Sequence, residues 1–413
     1  MTDHFFATRL AAVKPSPSMA AKARVDALRA SGKTILDFTI GEPDMDTPAH
    51  IIQAAITAMQ NGQTRYTGST GTVALRKAIQ SKFKRENGLH YELDQIIVGT
   101  GAKQLIYTAL QATLNPGDEV LIPAPYWVSY PDMVVLNDGV PKILPTDAST
   151  DFKITADQLA AAITPHTKWL MLNSPSNPTG AIYSRAELEA LAGVLAKHPH
   201  VHVLTDEIYE HIAFGPEPVT AFAAVCPELE QRTLSINGVS KAYSMTGWRV
   251  GYAGGPAALI RAMALLISQS TSCVNAISQA AAVEALSADQ STVREASATF
   301  KERSQLLVQL LNQITGIECM QPDGAFYVFP SVQGLLGKVS PDGTTLSTDL
   351  DVANYFLEAA NVAVMDGTSY GAPGYLRLSF ATSLDDIKLG CSRLAIACQA
   401  LRSTSNSSTF IGD

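Results

Sequence analysis

The sequence predicts an α/β fold, in which a large domain with a mostly parallel sheet flanked by helices is joined to a smaller α+β domain. From Pro48 to Pro256, short apolar runs alternate with helical patterns, as in chains that form parallel sheets. From about Ile317, short strand patterns are mixed with helices instead. The length of 413 residues also exceeds one hydrophobic core of usual size. These observations favour two domains.

The N-terminal stretch, residues 1–47, is predicted to form an arm and to contribute to the smaller domain. Pro15 and Pro17 indicate an extended segment. A helix is predicted over Met19–Ala30 and a strand over Thr34–Ile40. The turn Gly41–Asp44 then presents backbone amides to a ligand, although such turns are usually only connectors.

The large domain is predicted to span 48–297, the small one 298–402, and a serine-rich disordered tail 403–413. The predicted strands are Gln95–Val98, Glu119–Ile122, Lys168–Leu172, Val201–Thr205, Thr233–Ile236, Arg249–Ala253, Ala325–Phe329 and Tyr375–Phe380. The predicted helices are His50–Gln60, Val73–Lys84, Arg185–Lys197, Leu259–Gln269, Ile277–Leu286, Thr299–Ile314, Asp349–Ala359 and Leu384–Leu401.

Composition excludes several classes of protein. The net charge is −8, and no Lys/Arg-rich block is present, so we expect no nucleic-acid partner. No apolar run has the roughly eighteen residues of a membrane span. The five cysteines form no C-x-x-C pair and are expected to be reduced thiols of a cytoplasmic protein without a metal site: Cys226, Cys273, Cys319, Cys391 and Cys398.

A lysine in an unusual setting indicates covalent chemistry. Lys241 lies among small and hydroxyl residues, directly after Ser240, and Arg249 follows eight positions later. A confined lysine attacks a carbonyl carbon and forms a Schiff base, while a nearby arginine holds an anionic group of the same ligand. The alternative is a surface lysine in a Gly/Ser loop.

Polar and aromatic groups follow several of the predicted strands. Asp206 closes the apolar strand Val201–Thr205, where ligands bind in α/β folds. It could face a cationic ring nitrogen or cap the following helix. Asn177 lies in a rigid Pro/Gly loop and could donate to a phenolate oxygen, or the loop could be a plain turn. Trp127 could stack on a flat heterocycle or pack in the core.

Two further features indicate anion binding. The strand that ends before Gly99 runs into Gly101, Ala102 and Lys103 at a helix start, where free amides and the helix dipole attract anions. The competing interpretation is a tight turn without a ligand. Arg377 alternates with apolar neighbours and could hold a carboxylate by a two-pronged bond or form a structural salt bridge.

The stretches that contain these residues, taken in chain order, resemble the motifs of the class I aminotransferases. The resemblance is to the aspartate or prephenate aminotransferase branch of the fold-type-I pyridoxal-phosphate family. The resemblance covers about residues 14–400 and implies a seven-stranded type of sheet. The motifs are Gly-Glu-Pro-Asp at 41, Tyr66 in Arg-Tyr-Thr, Gly-Ala-Lys-Gln at 101, Pro-Tyr-Trp at 125, Ser-Pro-Ser-Asn-Pro-Thr-Gly at 174, Asp-Glu-Ile-Tyr-Glu at 206, Ser-Lys-Ala-Tyr-Ser-Met-Thr-Gly-Trp-Arg at 240, Pro-Asp-Gly-Ala-Phe-Tyr at 322 and Arg377.

The resemblance assigns a role to each of these residues. Lys241 would form a Schiff base with pyridoxal 5′-phosphate and move a proton to and from the substrate α-carbon, and Asp206 would keep the pyridine nitrogen protonated. The other expected coenzyme contacts are Tyr209, Asn177, Trp127, Gly101, Ala102, Lys103, Ser240, Arg249 and, from the partner subunit of a homodimer, Tyr66. The expected substrate contacts are Gly41, Trp127, Asn177, Arg377, Lys103 and Lys14.

Some positions depart from the pattern of the family. The stretch Ser270–Ser278 lacks the arginine that binds the distal carboxylate in other members. The resemblance to this branch implies that the lysine at Lys103 takes this role, with Lys14 of the arm as helper. Lys22 stands where relatives often have a threonine linked to prephenate use. Cys273 and Met365-Asp366 are also unusual, and they are expected in loops that line the pocket.

The leading hypothesis is an aminotransferase that exchanges amino groups among aspartate, glutamate and their 2-oxo acids, with prephenate or an aromatic oxo acid as an extra acceptor. A first alternative is a specialised pyridoxal-phosphate enzyme of biosynthesis that performs elimination or oxidation. A second is a coenzyme-free regulatory binding module, against which the presence of Lys241, Asp206 and Arg249 argues.

Overall fold

The computed structural model describes residues 5–15 and 17–403, which form two compact units. The predicted disordered tail, 403–413, lies outside the described residues except for Ser403. Of the described residues, the large unit comprises 5–15, Glu42–Lys301 and Pro322–Phe326. The small unit comprises 17–41, Glu302–Gln321 and 327–403.

The elements are numbered in chain order. The strands are β1 Leu36–Asp37, β2 Ile96–Gly99, β3 Glu119–Ala124, β4 Val140–Pro145, β5 Thr167–Asn173, β6 His202–Asp206, β7 Thr233–Gly238, β8 Gly251–Gly254, β9 Tyr327–Val328, β10 Val362–Ala363, β11 Met365–Asp366 and β12 Leu376–Ser379. The helices are α1 Pro17–Ala30, α2 Ala49–Gln60, α3 Val73–Lys82, α4 Ala102–Thr113, α5 Tyr130–Leu136, α6 Ala156–Ala162, α7 Arg185–Leu195, α8 Pro227–Glu230, α9 Ala257–Ser270, α10 Ala276–Ser287, α11 Ser291–Leu311, α12 Asp349–Tyr355 and α13 Leu384–Ala400.

The large unit contains a seven-stranded sheet in the order β2-β8-β7-β6-β5-β3-β4. Strand β8 runs opposite to the other six, so the predicted α/β class with a mostly parallel sheet is confirmed. β4 was missed because it lies at the sheet edge, carries two prolines and is partly exposed, whereas the buried strands have the apolar runs of a parallel sheet.

The register of the sheet places the carboxyl ends of two central strands side by side. Asn173, the last residue of β5, pairs with Asp206, the last residue of β6. Their apolar predecessors are buried between the helix layers; Leu170, Val203 and Leu204 are at most 1% exposed. Parallel strands bring successive polar residues to one edge of the sheet, so the core itself positions these side chains.

A buried ionic cluster fixes the segment that follows β6. The ammonium of Lys82, at the end of α3, is fully buried and forms an ion pair with Glu210. Asn87 Nδ2 and Asn237 Nδ2 donate to the same carboxylate at 2.8 and 2.6 Å. Because a buried charge needs partners, the cluster holds Glu210 and its neighbour Tyr209 in place.

The small unit contains two short sheets, β1-β10 and β11-β12-β9. Arg377 of β12 lies opposite Met365 of β11 in an antiparallel pair. Thr348 and Ser383 cap α12 and α13 by accepting hydrogen bonds from backbone amides three residues later. These elements form the scaffold for Arg377.

No helix within residues 5–15 and 17–403 combines the length and the apolar character needed to cross a membrane.

Candidate active site

Asp206 is the most deeply buried of the predicted site residues in the large unit that carry a charge. Its side chain closes β6 and is 5% exposed. Tyr130 donates its hydroxyl to Asp206 Oδ2 at 2.7 Å, and the amide of Ile208 donates a long bond to Oδ1 at 3.4 Å. The next helical element after Asp206 begins only at Phe222, so Asp206 does not cap a helix. Its carboxylate is held by these side-chain and backbone donors instead.

Burial sets the charge state of Asp206. It raises the pKa of the carboxyl from 3.8 to about 6, although the Tyr130 hydroxyl, the Ile208 amide and the positive charge of Lys241 each act in the opposite direction. Desolvation disfavours an anion that lacks a close cation. A cationic group placed against Asp206 would therefore be bound strongly and would stabilise the ionised form.

The loop after β5 places Asn177 near the end of β6. Asn173 donates its side-chain amide to the backbone oxygen of Asp206 at 2.8 Å, and its Oδ1 accepts from the backbone amide of Asn177, also at 2.8 Å. Asn177 is 6% exposed. A single asparagine thus ties the loop of Asn177 to the strand end that carries Asp206.

Lys241 follows the end of β7 in the same unit. Its Nζ lies 5.9 Å from the ring centre of Tyr209 and 5.8 Å from that of Phe326. Tyr209, Phe326 and Ser240 are all buried, and Lys241 itself is half-buried. The lysine is therefore part of a confined, partly aromatic site and not of an exposed Gly/Ser loop.

The start of α4 forms an anion cradle with Arg249. Gly101 precedes the helix with a φ of +87°, and no side chain caps the first turn. A Cβ at Gly101 would collide with the Arg249 guanidinium, and one at Gly251 would collide with the backbone amide of Ala102. The positive φ at Gly101 and the backbone contact at Gly251 therefore require glycine at both places. The close approach of Arg249 puts a positive charge beside the amides of a helix N-terminus.

The structure corrects one expectation about Arg249. The residue does not begin a strand, because its φ is +56° and β8 starts two residues later at Gly251. Its Nη1 donates to the backbone oxygen of Thr246 at 2.8 Å, and its Nη2 donates to that of Thr100 at 3.4 Å. The left-handed backbone turns the guanidinium toward the α4 cradle.

Lys103 lies beside Trp127 and Arg249. Its Nζ is 4.6 Å from the Trp127 ring centre, a cation–π distance. Desolvation, followed by the charge of Arg249, lowers the pKa of Lys103. A cavity of about 510 Å³, lined in part by Lys103, Gln104, Arg249 and Thr271, opens here. Two cations with partial desolvation favour an anionic ligand.

Tyr66 is 92% exposed within the chain. The segment that carries it is nevertheless anchored: the Thr67 amide donates to Cys273 Sγ at 3.4 Å, and Gln279 Nε2 donates to Thr67 Oγ1 at 2.9 Å. Cys273, one of the unusual positions, therefore contacts the segment that presents Tyr66.

The small unit holds the predicted carboxylate-binding arginine. Arg377 is 3% exposed, and its Nη2 donates to the backbone oxygen of Thr39 at 2.6 Å. Its guanidinium carbon lies 4.4 Å from the ring centre of Tyr327 and 5.2 Å from that of Tyr370. A Cβ at Gly41 would lie 3.4 Å from the Tyr327 hydroxyl. Arg377 and Gly41 are thus connected through one tyrosine.

The remaining predicted positions lie nearer the surface. Lys14 is exposed, two residues beyond the 3₁₀ helix Thr8–Ala12. Lys22 forms an ion pair with Asp26 at 2.9 Å across one turn of α1. Asp366 accepts hydrogen bonds from the amide and hydroxyl of Ser369 at 2.8 and 2.9 Å, which fixes a turn of the small unit.

Two residues that contribute to the site are not predicted from the sequence. Tyr130 contacts Asp206, and its ring packs edge-on against Trp127 with ring centres 5.4 Å apart. Asn173 joins two strand ends. Tyr130 comes three residues after Trp127, and Asn173 directly precedes the motif that begins at Ser174, so their positions beside these two motifs were the available signal.

The donor set of the large unit fits a flat, phosphate-bearing heterocycle with a basic nitrogen. Asp206 supplies a buried acceptor for that nitrogen, the α4 cradle with Arg249 supplies donors for a phosphate, and Trp127 supplies a ring face. Lys241 supplies the amine for a carbonyl group. These requirements are met by residues of one compact unit.

Comparisons with known proteins agree with this chemistry. The family model described as aminotransferase class I and II matches residues 33–394. The chain is 48% identical to the aspartate/prephenate aminotransferase of Nitrosomonas europaea, over 94% of this chain and 98% of that protein. The crystal structure of the Rhizobium meliloti aspartate aminotransferase has a TM-score of 0.94 and 49% identity, over 96% of this chain and 99% of that one. That of the Thermus thermophilus aspartate aminotransferase with maleate has a TM-score of 0.89 and 39% identity, over 95% and 99%.

We predict that Asp206→Asn stabilises the coenzyme-free protein, and more so at high pH. The pKa of Asp206 is raised from 3.8 to about 6, so the wild type loses stability as the pH rises from about 4 to about 6 and regains none above it. The expected gain is about 1.5 kcal/mol at pH 5 and about 3 kcal/mol at pH 8. Urea unfolding measures it, with the exposed Asp138→Asn as the matched control. An equal gain at both pH values would contradict the prediction.

Proposed function

The chain belongs to the class I and II aminotransferase family, and we propose that it exchanges the amino group between aspartate or glutamate and the 2-oxo acids oxaloacetate and 2-oxoglutarate. The observation that carries this proposal is Lys241 in a confined site beside the buried carboxylate of Asp206. The aspartate aminotransferases with 49% and 39% identity support the substrate class.

The coenzyme of the proposed reaction is pyridoxal 5′-phosphate, which supplies an electron-withdrawing ring that stabilises negative charge on the substrate α-carbon. Asp206 would hold the proton on the ring nitrogen. Lys241 Nζ would remove the proton of the α-carbon and return one as a general base and acid. Tyr209 and Asn177 would donate to the phenolate oxygen, and Trp127 would pack on the ring face.

The phosphate would be held by the α4 cradle. The proposed donors are the backbone amides of Gly101, Ala102 and Lys103, the hydroxyl of Ser240 and the guanidinium of Arg249. Tyr66, which is 92% exposed in its own chain, would complete the site of the partner subunit in a homodimer.

The substrate would be bound through its carboxylates. Arg377 and the Gly41 backbone would hold the α-carboxylate, since a guanidinium fixed between two tyrosine rings is preorganised for a two-pronged bond. Lys103, with Lys14 of the arm, would hold the distal carboxylate. Desolvation, followed by the charge of Arg249, lowers the pKa of Lys103, and a bound anion would offset both effects, which supports this role.

Prephenate is a second acceptor that we include, favoured by the 48% identity to an aspartate/prephenate aminotransferase. The use of prephenate is tested by chromatography of the arogenate formed from prephenate and glutamate.

We also place the enzyme in the cytoplasm, where its five free cysteines would stay reduced. The alternative, elimination or oxidation at the same site, would release ammonia or consume oxygen instead of forming a second amino acid.

We predict that Lys241→Ala abolishes both the visible absorbance of bound pyridoxal phosphate and amino transfer. The variant lacks the amine that bonds the coenzyme and moves the proton, so kcat should fall by about 1,000-fold or more. Absorbance after coenzyme addition and a coupled oxaloacetate assay measure these effects, with the exposed Lys197→Ala as the control. A variant that transaminates at the normal rate would show that another lysine acts.

We predict that Lys103→Ala loses activity selectively toward dicarboxylates. Removal of a charge-assisted hydrogen bond should lower kcat/KM for aspartate by about 10- to 100-fold relative to that for alanine. Single-turnover half-reactions with both amino acids measure the ratio, which corrects for any loss of coenzyme binding. An unchanged ratio would refute the role of Lys103.

We predict that Tyr66 acts across the interface of a dimer. Tyr66→Phe and Lys241→Ala proteins are mixed, unfolded and refolded together. If Tyr66 serves the partner's site, the mixed dimer contains one site with both wild-type residues, and wild-type coenzyme affinity returns in that site. If Tyr66 acts within its own chain, every site that retains Lys241 keeps the weakened affinity of Tyr66→Phe. Coenzyme titration separates these outcomes.

A further inference from the structure

Tyr130 is the one buried side chain of the described large unit that both hydrogen-bonds the Asp206 carboxylate and packs against Trp127. It is 3% exposed and donates its hydroxyl to Asp206 Oδ2 at 2.7 Å. Its ring meets that of Trp127 edge-on, with centres 5.4 Å apart at 87°. Its backbone amide donates to the Trp127 carbonyl at 2.9 Å. Tyr130 thus links the residues expected on the edge and the face of the coenzyme ring.

We propose that Tyr130 is a positioning residue, which fixes the carboxylate plane of Asp206 and the ring of Trp127 and keeps Asp206 ionised. This inference rests on the proposed function, since both residues are assigned there to the coenzyme. The geometry is specific: Oδ2 receives a short hydroxyl bond, whereas Oδ1 receives only the long 3.4 Å bond of Ile208. Oδ1 is therefore the oxygen left to accept the proton of a ring nitrogen.

The charges around Asp206 define what Tyr130 contributes. Lys241 and the Tyr130 hydroxyl stabilise the anion, and burial opposes them. Asn173 bonds the backbone oxygen of Asp206 and not its carboxylate. Burial and the neighbouring Asp206 raise the pKa of Tyr130 well above its usual value, so the phenol stays a neutral donor over the working pH range. Loss of this hydroxyl removes a donor that no other described residue replaces without moving.

The alternative is a purely structural role, in which Tyr130 only packs in the core with residues such as Ile122 and Met171. A purely structural tyrosine would lower stability on substitution but would leave the titration of Asp206 unchanged. A hydrogen bond to the charged form of an acid instead shifts its pKa downward. The two roles therefore differ in a quantity that can be measured without the coenzyme.

The experiment is Tyr130→Phe, which keeps the ring and removes the hydroxyl. The pKa of Asp206 is measured in the coenzyme-free full chain by carboxyl ¹³C NMR, with Asp206→Asn for assignment. We expect an upward shift of about one pH unit and, in the loaded enzyme, a coenzyme affinity lowered by about 10-fold. Tyr355→Phe is the matched control, because its hydroxyl donates to the Ala397 carbonyl at 2.8 Å in the small unit.

A double-mutant cycle tests the role of Tyr130 even if Tyr130→Phe lowers the stability of the protein. In the Asp206→Asn background, Tyr130→Phe should leave coenzyme affinity unchanged, because the interacting charge is gone. An unshifted Asp206 pKa in Tyr130→Phe, or an equal loss of affinity in both backgrounds, overturns the role of Tyr130. Absence of coenzyme binding in the wild type overturns the proposed function instead, and the NMR titration remains interpretable in that case.

Discussion

The burial of the Asp206 carboxylate is the constraint on which the rest of the large unit depends. A carboxyl that is 5% exposed at a strand end would be neutral at low cost, and burial alone drives it in that direction. Tyr130 and Lys241 oppose this drive without cancelling it, because the pKa stays at about 6. The site is therefore incompletely compensated in the coenzyme-free chain. A cationic ring nitrogen would supply the missing charge, so part of the binding energy of the coenzyme comes from a cost built into the fold.

The parallel sheet places the other residues of the site around the buried Asp206 carboxylate. The register that pairs Asn173 with Asp206 brings two strand ends together, and Asn173 then fixes Asn177. After Asp206 in the chain, the buried Lys82–Glu210 ion pair fixes the segment that contains Tyr209. Rigidity is needed here because hydrogen bonds to a bound ring are effective only when their donors are preorganised. The buried ionic cluster thus serves the site without touching it.

The fold class and the candidate site residues could be predicted from the sequence, whereas the contacts between these residues could not. Apolar runs indicated the central strands, but β4, with two prolines at the sheet edge, does not follow that pattern. Arg249 was placed in a strand because its neighbours are apolar. No local pattern reveals its left-handed φ or the approach of its guanidinium to Gly101. Tyr130 and Asp206 are 76 residues apart, so their bond depends on sheet order and not on periodicity. The assigned roles of Lys14, Tyr66 and the other site residues stay predictions.

The placement of Lys103 and Arg249 indicates how a bound phosphate would strengthen the binding of a substrate carboxylate. Desolvation and, after it, the charge of the nearby Arg249 lower the pKa of Lys103, and both residues line the cavity beside them. A phosphate at the α4 cradle would neutralise much of the Arg249 charge, because the amides and the guanidinium converge there. Lys103 would then hold its proton more firmly and attract a substrate carboxylate more strongly. Coenzyme binding would in this way prepare the chain for a dicarboxylate, since the first anion removes the repulsion that weakens the charge available to the second.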